Sequence, residues 1–317
     1  MAVIPFHEDF LPEKDGHRVY FAQYGNPKGE AIVSLHGGPG SKSKPKHVAR
    51  YDLTRFQAIT IDQRGCGKSE PLGELRENTT QKLIEDIERL RTYLGVEQWF
   101  VSGGSWGATL ALIYAEAHPE RVRGLLLGGI FLAFRDDEEW AFSKSGGVER
   151  LFPDVWEKRM EFLRKFRATP ENAAEVLLGK MLSGGETAAK EIAAGVHNWE
   201  ANLFSPANEM TYLTAEDIDE EKIASAKIFL HFEANNYFLE KEQILRDIGR
   251  IRSIPTVIVH GRYDVLCPLK NVWMLKKNLQ NVNMFILPSS GHGFSAEGDM
   301  VREIVFNNAL TEWTRKD

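Results

Sequence analysis

Five residues, Gly103-Gly104-Ser105-Trp106-Gly107, constrain this chain more than any other stretch. The run before them, QWFVSGG (98–104), reads as a buried strand. The run that starts inside them, WGATLALIYAEAHPE (106–120), reads as a helix that stops at Pro119. A serine at that junction must sit in a very tight strand-to-helix turn with a strained backbone. Side chains two residues to either side would collide there, which accounts for both glycines of the Gly-x-Ser-x-Gly pattern. The turn holds the Ser105 hydroxyl clear of the backbone at the positive end of a helix. As a bare string the pattern is also that of a plain glycine turn. The strand before it and the helix after it make Ser105 the candidate nucleophile.

The rest of the chain supplies a frame for that turn. HRVYFAQYG (17–25) alternates with period two and predicts an antiparallel strand near the N-terminus. Short apolar runs at 31–36, 56–62, 98–104 and 122–130 predict buried strands. Between two of them, Leu83, Ile87, Leu90 and Leu94 recur at helical spacing, with a cap available at 78–80 and Gly95 as a stop. Alternating strands and helices predict an α/β fold, a mostly parallel central sheet with helices on both faces. From about Arg135 to about Arg250 the strand signal lapses, and helical pieces appear at 155–166 and 171–182. Strands return at 254–261 and 283–288, and 299–316 reads as a closing helix. Residues 1–134 and 246–317 are therefore expected to form the core domain, with 135–245 inserted as a helical cap.

Composition narrows the function classes. A net charge of -6 and a pI near 5.9 disfavour nucleic acid or an anionic membrane as partner, because an acidic surface repels both. No apolar run approaches the ~18 residues of a membrane helix. The first sixteen residues place acids early and lack the apolar core of a secretory signal. Two cysteines, Cys66 and Cys267, make no disulfide framework and fit a cytoplasmic location as small packed residues.

A serine hydroxyl is a poor nucleophile near neutral pH and needs a base, itself oriented by an acid. After such a turn the expected chain order is serine, acid, histidine, with the partners on loops past later strands. Asp264 follows the run at 254–261, and His292 follows the run at 283–288. His36, His231 and His260 are less well placed. HGGPG (36–40) ends another strand, and its glycines can turn backbone amides toward a developing oxyanion. The amide of Trp106 is the expected first donor, and that of Gly38, or else Gly37, the second. DQRGCGKS (62–69) is no phosphate loop, since the position five before Gly67 is Asp62 rather than glycine. Asp62 and Arg64 are expected to pair and brace the loops. No His, Cys and carboxylate set shows a metal-ligand spacing, so no metal or other cofactor is expected.

Taken together, HGGPG (36–40), DQRGCGKS (62–69), NTT (78–80), DIERLR (86–91), GGSWG (103–107), TLAL (109–112), GIFL (129–132), GRYDVLCP (261–268) and the Gly291-His292 pair resemble, in order and along nearly the whole chain, the proline iminopeptidase family of α/β-hydrolases. The resemblance implies metal-free removal of an N-terminal proline, or a related residue, from a small peptide or amino-acyl amide. It also implies a cap that carries specificity. A free cationic amine is best held by carboxylates out of water. The resemblance assigns that role to Glu200 in NWE (198–200) and Glu233 in FEANNYF (232–238), with Phe131 and Phe238 lining the prolyl pocket. The chain departs from the family at Gly128, where arginine is usual, at Ala141 after Trp140, in the basic SKSKPKH after HGGPG, and by one extra residue in FEANNYF. These departures touch the pocket and its rim. They leave open a broader aminopeptidase, an esterase or amidase without a free-amine requirement, or a non-catalytic binding protein on the same scaffold.

Overall fold

The computed structural model describes residues 3–205 and 210–315. Eight strands form one sheet: β1 (His7–Phe10), β2 (Tyr20–Gly25), β3 (Glu30–Leu35), β4 (Phe56–Ile61), β5 (Trp99–Ser105), β6 (Val122–Ile130), β7 (Thr256–Gly261) and β8 (Val282–Leu287). Their order across the sheet is β1-β2-β4-β3-β5-β6-β7-β8. The β1–β2 and β2–β4 pairs are antiparallel and the others parallel. The apolar runs of β3 to β7 become strands because both faces are covered. Val101, Leu125, Leu127 and Ile258 face one apolar cluster, and Phe100, Leu126, Val257 and Val259 face another.

Helices α1 (Thr80–Tyr93) and α2 (Trp106–Ala117) cover the first face, and the C-terminal helix covers the second. The Thr79 side chain caps α1 by accepting from the Lys82 amide, and Gly95 leaves the helix at φ +66°. The α2 helix is buried all round, as its Ala-Leu composition allows.

Between β6 and β7 the described residues hold helices and no strand: α3 (Arg135–Phe142), α4 (Gly147–Leu151), α5 (Pro153–Lys165), α6 (Ala173–Ser183), α7 (Gly185–Phe204), α8 (Glu220–Ala234) and α9 (Gln243–Asp247). Leu163, Leu177, Ile192, Ala226 and Leu230 give α5 to α8 an apolar centre of their own. Two seams tie this insertion to the sheet. Ile228 and Phe232 of α8 join the core cluster, and Trp156 and Trp199 pack with Val265 just after β7. Helix α10 (Leu269–Asn278) follows β7, and α11 (Ala296–Thr314) closes the chain.

Two boundaries differ from expectation. The strand β1 is an added edge strand whose first three residues are exposed, so no buried alternation marks it. The closing helix starts at Ala296 because the Ser295 hydroxyl caps it at the Gly298 amide; Lys316 of the expected range lies outside the described residues.

Candidate active site

Ser105 stands between β5 and α2 at φ 57° and ψ -130°, a conformation L-residues adopt only under constraint. The two glycines around it have no room for a side chain. A Cβ on Gly103 would lie 2.0 Å from the Gly107 carbonyl oxygen, and one on Gly107 would lie 2.3 Å from that of Leu35. The turn is therefore enforced by backbone against backbone. Trp106 opens α2, so its amide is one of the free donors at a helix start.

Opposite, the loop after β3 carries Gly37, whose Cβ would meet Ser105 Cβ at 3.2 Å, and Gly38, which sits at φ +112° and lines the same cavity as Ser105. Gln63 ties the two walls together. Its side-chain oxygen accepts from the Trp106 indole at 2.9 Å, and its amide nitrogen donates to the His36 carbonyl at 2.8 Å. No sequence pattern gave Gln63 this role, because its partners, His36 and Trp106, lie on two other segments.

Asp264 and His292 meet on the loops after β7 and β8. Asp264 Oδ2 lies 2.9 Å and Oδ1 3.1 Å from His292 Nδ1. Oδ1 also accepts from the backbone amides of Leu266 and Cys267, at 3.2 and 2.8 Å. Burial opposes charge on Asp264, but the imidazole and these donors outweigh it and hold the carboxyl below its ordinary range. Burial likewise opposes charge on His292, yet the carboxylate and the Cys267 sulfur push it well above the ordinary histidine value. Gly129 lies between His292 and Ser105: a Cβ there would be 3.1 Å from His292 Cε1 and 3.5 Å from the Ser105 amide nitrogen. The imidazole and the nucleophile thus flank one glycine and line one cavity.

The three rival histidines meet backbone groups. His260 faces the Ile130 amide and the Cys267 carbonyl, His231 the Asn78 carbonyl, and His36 the Gln63 amide. Cys66 and Cys267 are both free and buried, and burial raises the Cys267 thiol to about 12. Sequence spacing gave no metal cluster. Folding does collect one trio of metal-ligating types among the described residues, Asp264, Cys267 and His292, with ligand atoms within 4.8 Å of one another. The expected Asp62–Arg64 pair does not form. Arg64 turns instead to Asp86 on α1, at 2.6 and 3.0 Å, and to Asp15 at 3.2 Å. Asp62 accepts from the Ser43 and Lys68 amides and so still braces the loop.

The cavity has about 670 Å³ of empty space, part of it open to solvent. Ser105, His292 and Gly38 form its floor, and Phe131, Phe142, Trp199, Glu200 and Tyr237 are among its walls. Glu200 and Phe131 thus line the same cavity as Ser105 and His292. Glu233 and Phe238 do not line the cavity. Phe238 packs on His231 and Phe232, with ring centroids 5.1 and 5.4 Å apart. The cause is a left-handed turn: Asn236, Tyr237 and Phe238 have φ of 49°, 53° and 53°. Thr80 and Gln81 of α1 pin that turn by donating to the Tyr237 and Phe238 carbonyls. It aims Tyr237 at the pocket, edge-on to Phe131 at 5.0 Å, and turns Phe238 away. Behind the wall, buried Arg159 lies over Trp199 at 4.5 Å and Phe142 at 4.9 Å, and the charge of Glu233 bears on it.

Comparison with known proteins identifies the family and the fold. The profile of the alpha/beta hydrolase fold family matches residues 30–299. A proline iminopeptidase of Xanthomonas citri is 41% identical over 92% of this chain and 92% of its own length. A probable proline iminopeptidase of Leptolyngbya boryana is 38% identical over 94% and 92%, and a proline iminopeptidase of Arabidopsis thaliana is 36% identical over 96% and 80%. Among solved structures, an esterase from Exiguobacterium antarcticum superposes with a TM-score of 0.63 at 18% identity, over 95% of this chain and 98% of that one. A haloalkane dehalogenase from Bradyrhizobium elkani does so at 0.64 and 14%, over 98% and 99%. At those identities the superpositions speak for the fold alone.

Proposed function

Since this chain belongs to the proline iminopeptidase family of α/β-hydrolases, we propose that it is a serine aminopeptidase that releases an N-terminal proline, or a related residue, from small peptides. One observation carries the reading: a single cavity brings Ser105 and His292 together with an apolar wall, Phe131 and Tyr237, and a carboxylate, Glu200. The helical insertion, residues 135–245, acts as the cap over that cavity, with 206–209 outside the described residues.

The substrate's ammonium docks on Glu200, with Glu233 a second negative charge set back from the cavity, and its ring lies against Phe131 and Tyr237. Ser105 Oγ bonds to the carbonyl carbon as His292 Nε2 takes the hydroxyl proton. The carbonyl oxygen becomes an oxyanion held by the amides of Gly38 and Trp106, a donor pair in which each member is worth roughly 3 kcal/mol. The C–N bond then breaks, and His292 gives its proton to the leaving amine. Water, deprotonated by His292, attacks the acyl-enzyme, and Ser105 leaves with the proton returned. The cytoplasm suits this enzyme: both thiols are unpaired, and among the described residues no helix is long and apolar enough to cross a membrane.

Release of a fluorophore from its prolyl amide tests the reading, with the N-acetyl-prolyl amide as control. The free amine should be the far better substrate, and Ser105→Ala should lower kcat by at least about 10⁴-fold. A variant that kept the parent rate, or an enzyme indifferent to acetylation, would refute it.

A further inference from the structure

Helix α7 carries Glu200 and ends one turn later at Phe204. Residues four apart on a helix share a face, so the two side chains look the same way. The Phe204 ring meets the imidazole of His292 edge-on, with centroids 5.3 Å apart and planes at 79°. Beside it the Gly293 amide donates to the Phe204 carbonyl at 2.7 Å. A Cβ on residue 293 would lie 2.2 and 2.4 Å from two carbons of that ring, so the glycine after the base is what admits it. Phe204 is nonetheless 40% exposed, so core packing does not account for where its ring sits.

We propose that Phe204 is a positioning residue for His292: it holds the imidazole plane so that Nε2 faces Ser105, screens that ring from water, and links amine docking at Glu200 to the placement of the base through one turn of α7. The inference rests on the reading of His292 as general base. The charged and titratable groups around His292 are Asp264, the Cys267 thiol and, behind Asp264 at 3.6 Å, His260, with Glu200 and Asp137 lining the same cavity. Phe204 adds no charge to this set. Removing its ring therefore alters only hydration and geometry. Hydration favours the imidazolium, so the acid limb of the kcat/KM profile should move up.

The experiment compares Phe204→Ala, Phe204→Leu, Phe204→Tyr and Gly293→Ala with the parent on a prolyl amide and on an aryl acetate. Phe204→Ala should lower kcat about tenfold on both and leave KM within about twofold. Its acid limb should rise by about half a pH unit. Phe204→Tyr, which keeps the ring, should restore most of the rate, and Gly293→Ala, which displaces the ring, should mimic the loss. If Phe204→Ala fails to fold, Phe204→Leu and Gly293→Ala carry the same readout. An unmoved acid limb with unchanged kcat overturns the proposal, as does a loss confined to KM. Should the parent cleave the ester and no prolyl amide, the proline reading fails while the role of Phe204 is still read on the ester.

Discussion

The two sides of the cavity are built by different means. On the core side the proposed reacting groups are fixed by backbone. Gly103 and Gly107 hold the Ser105 turn by main-chain contact alone, and two amides hold Asp264. On the cap side the walls are side chains on helices, braced by weaker means: an arginine over two aromatic rings and a left-handed turn tied to α1. The difference suggests a division of labour. Core changes should cost the same on every acyl substrate, whereas cap changes should cost according to what the substrate offers.

The largest effect should come from the core. Asp264→Asn leaves the shape but loses the charge that sets the imidazole's tautomer, and kcat should fall about 10⁴-fold, equally on prolyl amide and aryl ester. The pH profile carries a second sign. His292 must be neutral to accept a proton, and Asp264 raises its pKa, so the acid limb of the parent should lie above the ordinary histidine value of 6.5. In Asp264→Asn the residual activity should show that limb moved down. A variant that spared the ester would break the proposed division.

How far each side was legible in the sequence follows the same line. Short apolar runs announced β3 to β8, and a serine, an aspartate and a histidine each just past a strand announced three loops, because both signals are local. Arg64 was misassigned because its neighbour Asp62 is close in sequence, while Asp86, 22 residues on, is the partner in space. On the cap, the choice between Tyr237 and Phe238 as pocket wall is a matter of one residue of register. A left-handed turn without any glycine decides it; Asn236 favours that conformation but Tyr237 and Phe238 do not, so propensity does not set how far the turn runs. The contact between Phe204 and the loop of His292 joins segments that no short pattern spans.

The next effect belongs to the cap and sharpens the contrast. Glu200→Gln keeps the shape of the wall and deletes its charge. A hydrogen bond to a charged group is worth roughly 1.5–3 kcal/mol, so kcat/KM for prolyl amide should fall by about 10- to 100-fold. The aryl acetate, which brings no ammonium, should lose less than about twofold. Steady-state kinetics on both substrates settles it, and equal losses would mean that Glu200 supports the fold of α7 rather than the amine.

The smallest effect lies where the core departs from its own rule. Glu116, near the far end of α2 from Ser105, is buried with neither carboxylate oxygen hydrogen-bonded. Burial, helped by the charge of Asp247, pushes its carboxyl from an ordinary 4.5 up to about 9. The folded chain thus keeps a proton that the unfolded chain releases, and stability should decline as pH climbs from 4.5 toward 9. Glu116→Gln removes that titration without changing side-chain size. Thermal melts should show a gain of about 2–4 °C at pH 8 and almost none near pH 5, with kcat unchanged. A gain of equal size at both pH values would mean that the carboxyl does not titrate across the folding transition. The pH-dependent gain would instead show that the core fixes its catalytic turn firmly while carrying, on the same helix, a group it solvates poorly.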